Sequence, residues 1–242
     1  MIAIAALAAC TSDLAHEAIG HGSACLISGG HIRLLNAAFF RCSPFGHYVA
    51  ISGPLANLTA GLIAFLVQSR IPACRPGLRL YALLVMSFSL FWEAGYLIQA
   101  MIKDSGDSVF AWRELIGPEH ATVRAVAVAV GIAAYFLFNR MLTVRAVVFA
   151  SAPGRVASLL RPAWFTGIAA MALAASLFAP DRLGATHDAV MAIAASFPLL
   201  FPRPPVATPA EFPPPIALSG GVIGLEVVMF VAFAATMGLG IY

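Results

Sequence analysis

The sequence predicts an all-α, polytopic integral membrane protein of about six transmembrane helices. Of its 242 residues, 61% are hydrophobic and only 10% are charged, whereas ordinary soluble domains carry about 25% charged residues. The mean hydropathy is +0.90, and the apolar residues extend over the whole length. So few charges cannot cover a surface exposed to water, so we expect lipid to be the solvent around most of the chain.

Six apolar runs are candidates for the helices, because roughly 20 such residues cross about 30 Å of hydrocarbon. They occupy residues 2–27, 48–68, 80–102, 125–150, 164–180 and 216–242. The fourth run contains Asn139, Arg140 and Arg145. Polar groups are costly in lipid, so we expect this helix to break or leave the membrane near Asn139.

Two other segments do not have the pattern of a full span. Residues 31–47 place arginines and a proline among aromatic and β-branched residues, which predicts an extended or re-entrant excursion. Residues 185–201 are apolar but short and contain His187 and Asp188. An interfacial or half-membrane helix therefore competes with a true span there.

The same pattern divides the chain into four parts. Residues 1–124 form the membrane core that carries the candidate site, and residues 125–200 add further membrane helices. Residues 201–215 are rich in proline, which disfavours regular helix and sheet and predicts a linker. Residues 216–242 form a C-terminal transmembrane helix. Arginines occur in nearly every loop, so the orientation in the membrane stays open.

The charge distribution and the cysteine spacing argue against nucleic-acid binding and against cysteine-based sites. The formal charge is +3 and is dispersed along the chain, which argues against nucleic acid as a partner. The cysteines form no CxxC pair, so neither a disulfide framework nor a cysteine zinc site is expected. They are Cys10, Cys25, Cys42 and Cys74.

The first apolar run contains a cluster of ionisable residues, which at membrane depth are functional candidates by default. His16, Glu17 and His21 lie in the stretch His-Glu-Ala-Ile-Gly-His. Histidines are zinc ligands, and a catalytic zinc lowers the pKa of its water to about 7. A neighbouring carboxylate is then placed to accept a proton during attack on a peptide carbonyl.

The spacing of the two histidines departs from the familiar HExxH pattern. Residues five apart project about 140° from each other on an ideal α-helix, whereas residues four apart project about 40° from each other. A π-bulge absorbs the extra residue, and Gly20 offers a place for one. We therefore expect the helix to be distorted near residues 18–20, with both imidazoles converging.

These residues resemble the metal helix of the site-2 protease family, which often reads HExGH followed by an apolar run and Gly-Gly, here Gly29-Gly30. A second stretch, Ser-Gly-Pro-Leu-Ala-Asn at residues 52–57, resembles the family's Gly-Pro-x-x-Asn. The resemblance covers about residues 13–110. It implies a zinc-binding core in the first three helices and a role for Asn57 near the active site.

The resemblance also implies an aspartate as the third metal ligand. Asp107 is favoured, because the glycine before it lets the backbone approach, and Asp104 is the alternative. Glu93, inside the third run, is a rival ligand or a structural partner of an arginine. Asp13 is a candidate for orienting a histidine or for a local cap. We interpret Glu226, His187 and Asp188 as structural polar contacts, with gating of access to the site as an alternative role for Glu226.

The resemblance implies intramembrane zinc-dependent proteolysis. His16, His21 and Asp107 or Asp104 would bind Zn²⁺, Glu17 would be the general base and acid, and Asn57 would position substrate or the oxyanion. The expected partners are a membrane protein substrate and the lipid bilayer of a cell (inner) membrane.

Two alternatives remain. The first is a metal-binding membrane protein of the same fold that cleaves nothing, which zinc content without cleavage would support. The second is a proton or metal-ion transporter, which ion flux surviving Glu17→Gln would support.

Overall fold

The computed structural model describes residues 1–118, 120–149, 155–202 and 220–242, except for the side chain of Val222. Its architecture is an all-α polytopic membrane protein, as the sequence predicts, with one small β-hairpin. Five helical spans of the described chain are long and apolar enough to cross a membrane. They are Ile2–Ile27, His47–Gln68, Pro76–Lys103, Ala121–Phe149 and Arg155–Ala175.

The first span is assembled from three pieces. Helix α1 (Ile2–Leu14) passes into a π-helical segment (Ala15–Gly22) and then into α2 (Ser23–Ile27). The remaining helices are α3 (His47–Gln68), α4 (Pro76–Lys103), α5 (Asp107–Leu115), α6 (Ala121–Ala146), α7 (Arg155–Ala175), α8 (Arg182–Ala194) and α9 (Gly220–Phe233). A second π-helical segment (Ala234–Gly238) follows α9.

Helix α4 is the centre of the bundle. It packs against α1, α3 and α6, and 72% of its most apolar window is buried. Helices α1 and α4 run parallel, since Ser12 bonds to Ser89 and His16 bonds to Glu93 four residues further along both helices. By contrast, only 11% of the corresponding window of α6 is buried, so α6 presents most of its surface outward.

The segment between the first two spans is a β-hairpin. Strand β1 (His31–Leu35) pairs antiparallel with β2 (Phe40–Ser43), in agreement with the predicted extended excursion. The Asn36 side chain accepts hydrogen bonds from the backbone N–H groups of Ala38 and Phe39 and so closes the turn. A backbone bridge between Leu35 and Ile241 attaches the end of the chain to the free edge of β1.

The structure corrects the cysteine prediction. Cys25 and Cys42 form a disulfide, which links α2 to β2. The sequence missed it because the two residues are 17 positions apart and meet only when the hairpin folds back onto the first span. Cys10 is buried and free, and Cys74 is exposed and free.

Several predicted element bounds also change. Helix α6 continues through Asn139 without the predicted break, because an α-helix satisfies its own backbone hydrogen bonds wherever the side chains lie. The predicted span 164–180 is helical from Arg155 to Ala175. Residues 185–201 hold most of α8 and a 3₁₀ turn. At 13 residues α8 is too short for a full span.

Near the end of the chain, Ile223–Gly238 is an apolar helix shorter than a full span. The predicted linker 201–215 lies mostly outside the described residues, as does the start of the predicted last helix.

Candidate metal centre

The span that contains both histidines is π-helical from Ala15 to Gly22. In a π-helix the backbone hydrogen bonds join residues five apart, so His16 and His21 lie on the same face. Their Nε2 atoms are 3.2 Å apart, and both side chains are buried. The expected distortion and the convergence of the two rings are confirmed.

Close contact between the first two spans holds His21 in place. A Cβ on Gly20 would lie 2.5 Å from the Cα of Gly53, and a Cβ on Gly53 would collide with the imidazole of His21. Only glycine therefore allows this approach of the two backbones. The Gly53 of the Gly-Pro-x-x-Asn stretch thus makes room for a histidine.

Asp107 completes a cluster with the two histidines. Its Oδ2 lies 3.3 Å from Nε2 of His21 and 3.6 Å from Nε2 of His16. The three residues form a group whose donor atoms are close enough to one another to hold a metal ion. The two histidines come from the first span, and the aspartate comes from the first residue of α5, just beyond the third span.

The far side of each imidazole is also bonded. Nδ1 of His16 donates to Oε1 of Glu93 at 2.8 Å, and Nδ1 of His21 donates to the backbone carbonyl of Val49 at 2.6 Å. A neutral imidazole with its proton on Nδ1 has its lone pair on Nε2. In that tautomer both lone pairs face the cluster, which is the arrangement that metal-binding histidines require, whereas a proton on Nε2 is donated to Asp107 when no metal is bound.

The connection between α4 and α5 turns Asp107 toward the histidines. Tyr96 donates its hydroxyl to Oδ2 of Asp107 and accepts the backbone N–H of the same residue, both at 3.1 Å. Gly106 has φ +101°, and a Cβ there would lie 2.8 Å from the hydroxyl oxygen of Tyr96. Glycine is therefore required both for the backbone conformation and for the contact.

The two histidines favour the ionised form of Asp107. Burial by itself would raise the pKa of its carboxyl, but His16 and His21 lie against it and hold that pKa below its ordinary range. A carboxylate must be charged to bind a metal. Asp104, the alternative ligand, instead pairs with Arg113 and Arg124 on the surface and does not join the cluster.

Glu17 lies beside the cluster with one free oxygen. It is buried, and its Oε2 has no hydrogen-bond partner among the described residues. Glu17, His16, His21 and Asp107 all line a cavity of about 1740 Å³. The cavity walls are mainly apolar and come from the hairpin, α4, α6 and α8, with Phe39, Phe40, Trp92, Tyr135, Phe136 and Phe178 among them.

Asn57 and Glu93 lie behind the cluster, away from the cavity. Asn57 is fully buried and donates from Nδ2 to Oε1 of Glu93 at 2.7 Å. That oxygen is the one that accepts Nδ1 of His16. Asn57 thus reaches the histidines through Glu93, and Glu93 contacts a histidine and not an arginine.

The other predicted polar residues do not contact the cluster. The ring nitrogens of both histidines bond to other groups, so Asp13 does not orient either of them. His187 bonds to Asp188 at an exposed position, and Glu226 lies on α9.

Sequence reasoning did not identify Tyr96 or the Val49 carbonyl. No pattern in the sequence indicates the Val49 carbonyl. Tyr96 could have been found, because a tyrosine three residues after an acidic residue within a span is a recognisable polar pair.

No protein-family model, no curated protein and no solved structure matches the chain.

Proposed function

We propose that this chain is an intramembrane zinc metalloprotease that hydrolyses peptide bonds of membrane proteins. The observation that carries the proposal is the convergence of His16, His21 and Asp107 beside Glu17 in an apolar cavity. Two imidazoles and one carboxylate form a common ligand set for catalytic zinc, which leaves a further position open. The resemblance of the first three helices to the site-2 protease family supports the same assignment.

The spacing of the cluster supports zinc as the metal. Ligands about 2.0 to 2.1 Å from a tetrahedral zinc lie about 3.3 to 3.4 Å from one another. The three donor separations here are 3.2, 3.3 and 3.6 Å. Once the Nε2 atoms carry no proton, three lone-pair donors face one another at these distances, and a cation between them removes their repulsion.

Bound zinc supplies Lewis acidity, which makes water a better nucleophile and polarises a carbonyl. In the proposed reaction a water oxygen attacks the carbonyl carbon of the scissile peptide bond. The carboxylate of Glu17, which lines the cavity, accepts the proton that this water loses. Glu17 then delivers the proton to the peptide nitrogen as the carbon–nitrogen bond breaks.

The cavity supports a polypeptide as the substrate. Small-molecule sites measure about 300 to 1,000 Å³, whereas this cavity measures about 1740 Å³. Its aromatic walls favour apolar side chains, which are the side chains of a membrane-spanning segment. A membrane protein is therefore the substrate class that fits.

Metal analysis and cleavage by the purified protein test the proposal together. We expect about one zinc per chain in the parent and in Glu17→Gln, and almost none in His21→Ala. Cleavage of a single-span substrate, found by co-expression screening, should fall by about 10² to 10⁴-fold in Glu17→Gln. Glu226→Gln is the matched control, since it changes a carboxylate on α9 that does not line the cavity.

Three results would overturn the proposal in different ways. Absence of zinc from the parent removes the metal site. Zinc without cleavage of any membrane peptide favours a metal-binding protein without protease activity. Equal cleavage by Glu17→Gln and parent removes Glu17 as the base, and ion flux that survives this substitution in vesicles favours a transporter.

A further inference from the structure

The carboxylate of Glu93 is buried in the middle of the helical bundle, where an unpaired charge is costly. Only 5% of the residue is exposed, and Asn57 is fully buried. A single oxygen, Oε1 of Glu93, receives two hydrogen bonds, one from Nδ1 of His16 and one from Nδ2 of Asn57. The three side chains thus form a chain of contacts that joins the first three spans.

This chain of contacts determines how the ring of His16 is oriented. The carboxylate accepts the proton on Nδ1, so the ring nitrogen that remains to bind a metal is Nε2, facing His21 and Asp107. Trp92 stacks on the same ring, with centroids 4.7 Å apart and planes 11° from parallel. The ring can therefore neither rotate nor change tautomer without loss of a buried contact.

The two histidines are held by different groups. Behind His21 is a neutral backbone carbonyl, whereas behind His16 is a carboxylate. A carboxylate partner makes an imidazole a stronger electron donor than a carbonyl does. His16 should therefore contribute more than His21 to metal affinity, provided that Glu93 keeps its place.

We infer that Glu93 is the positioning residue of the metal centre and that Asn57 holds Glu93 in register. The inference rests on the proposed zinc site and adds residues that line no part of the cavity. It also changes the role expected of Asn57, which acts through two other side chains and does not touch substrate. Asn57 Oδ1 has no partner among the described residues, so the amide is oriented by its single bond to Glu93.

Zinc affinity is the first measurement, made by competition with a chromophoric chelator. Outer hydrogen-bond partners of metal ligands typically contribute about 10 to 100-fold in affinity. We expect a loss of about 100-fold in Glu93→Leu, and about 10-fold in both Glu93→Gln and Asn57→Leu. In Glu93→Gln the amide oxygen can still accept both hydrogen bonds, but the charge is lost.

Ser89→Ala is the matched control. Ser89 lies one turn before Glu93 on α4 and bonds to Ser12 of α1, one turn before His16. The substitution Ser89→Ala removes a buried contact between the same two spans and leaves the cluster unchanged. Zinc affinity should stay within about threefold of the parent, and equal losses in Ser89→Ala and Glu93→Leu would mean that Glu93 only packs the helices.

The tautomer of His16 is the second measurement, read from ¹⁵N-labelled histidine by NMR in detergent. We expect the proton on Nδ1 in the parent and its loss from that position in Glu93→Leu. This signal needs no metal, so it still decides the inference if the parent binds no zinc and the proposed function fails. A parent His16 that carries no proton on Nδ1 in the metal-free protein overturns the inference.

Discussion

The first three spans and the later helices differ in how many polar side chains they bury. Among the described residues, every buried polar or charged side chain except Ser196 lies in residues 12–93. Of the five spans, α6 is the most outward-facing, with 11% of its most apolar window buried. Polar groups are costly at membrane depth. Their restriction to one region agrees with the function proposed above, in which this region holds the metal.

The difference is also one of packing. In the first region backbones approach until only glycine fits, as at Gly20 and Gly53. On α9 a Cβ added at Gly224 would meet nothing within 4 Å among the described residues, although close packing returns after α9, where a Cβ on Gly238 would lie 2.6 Å from the carbonyl oxygen of Ala174. Tight packing immobilises the ligands of a metal, whereas a lipid-facing helix needs only length and hydrophobicity. Pairs of similar substitutions, one at a tightly packed or clustered position and one at a looser position, therefore test the comparison.

The largest expected effect is on stability, at the central helix. Phe88 on α4 is fully buried, whereas Phe165 on α7 is 60% exposed. Phe88→Ala should lower the free energy of unfolding in detergent by about 3 to 5 kcal/mol, because a cavity is left. Phe165→Ala should change it by less than about 0.5 kcal/mol. Equal losses would show that α7 is packed as tightly as α4.

The next effect separates two aspartates that are three residues apart. Asp107→Asn should weaken zinc binding by more than about 100-fold, because a metal ligand contributes more than its outer partners do. Asp104→Asn should leave the affinity within about threefold. Asparagine tolerates the left-handed backbone of residue 104, where φ is 61°. If Asp104→Asn is the more damaging change in calorimetric titration, the ligand assignment is reversed.

The smallest effect is within the π-helical segment. Gly20→Ala should lower the free energy of unfolding by about 1 to 3 kcal/mol, since the added methyl forces the first two spans apart. A methyl on Gly22 meets its nearest neighbour at an ordinary 3.5 Å, so Gly22→Ala should be neutral. Thermal unfolding of both variants provides the test, and tolerance of Gly20→Ala would contradict the close contact at Gly53.

Much of this protein follows from composition and periodicity. Runs of about 20 apolar residues are sufficient to predict helices, because lipid leaves the backbone no other way to bond internally. The five-residue spacing of His16 and His21 was sufficient to predict a distorted helix, since no regular α-helix aims both at one point. These are local consequences of the chain, so neighbouring residues are enough to derive them.

Contacts between distant segments were decided only by the tertiary structure. The sequence favoured Asp107 through Gly106 but left Asp104 open, because it does not reveal that Tyr96 holds Asp107 beside the histidines while Arg113 and Arg124 hold Asp104. The disulfide of Cys25 and Cys42 and the bond between Asn57 and Glu93 likewise join elements that meet only after packing. The sequence alone determined which polar groups lie within apolar runs, where lipid makes an unpaired group costly. The packing of the first three spans determined which side chains pair with these groups, because the partners lie on other helices.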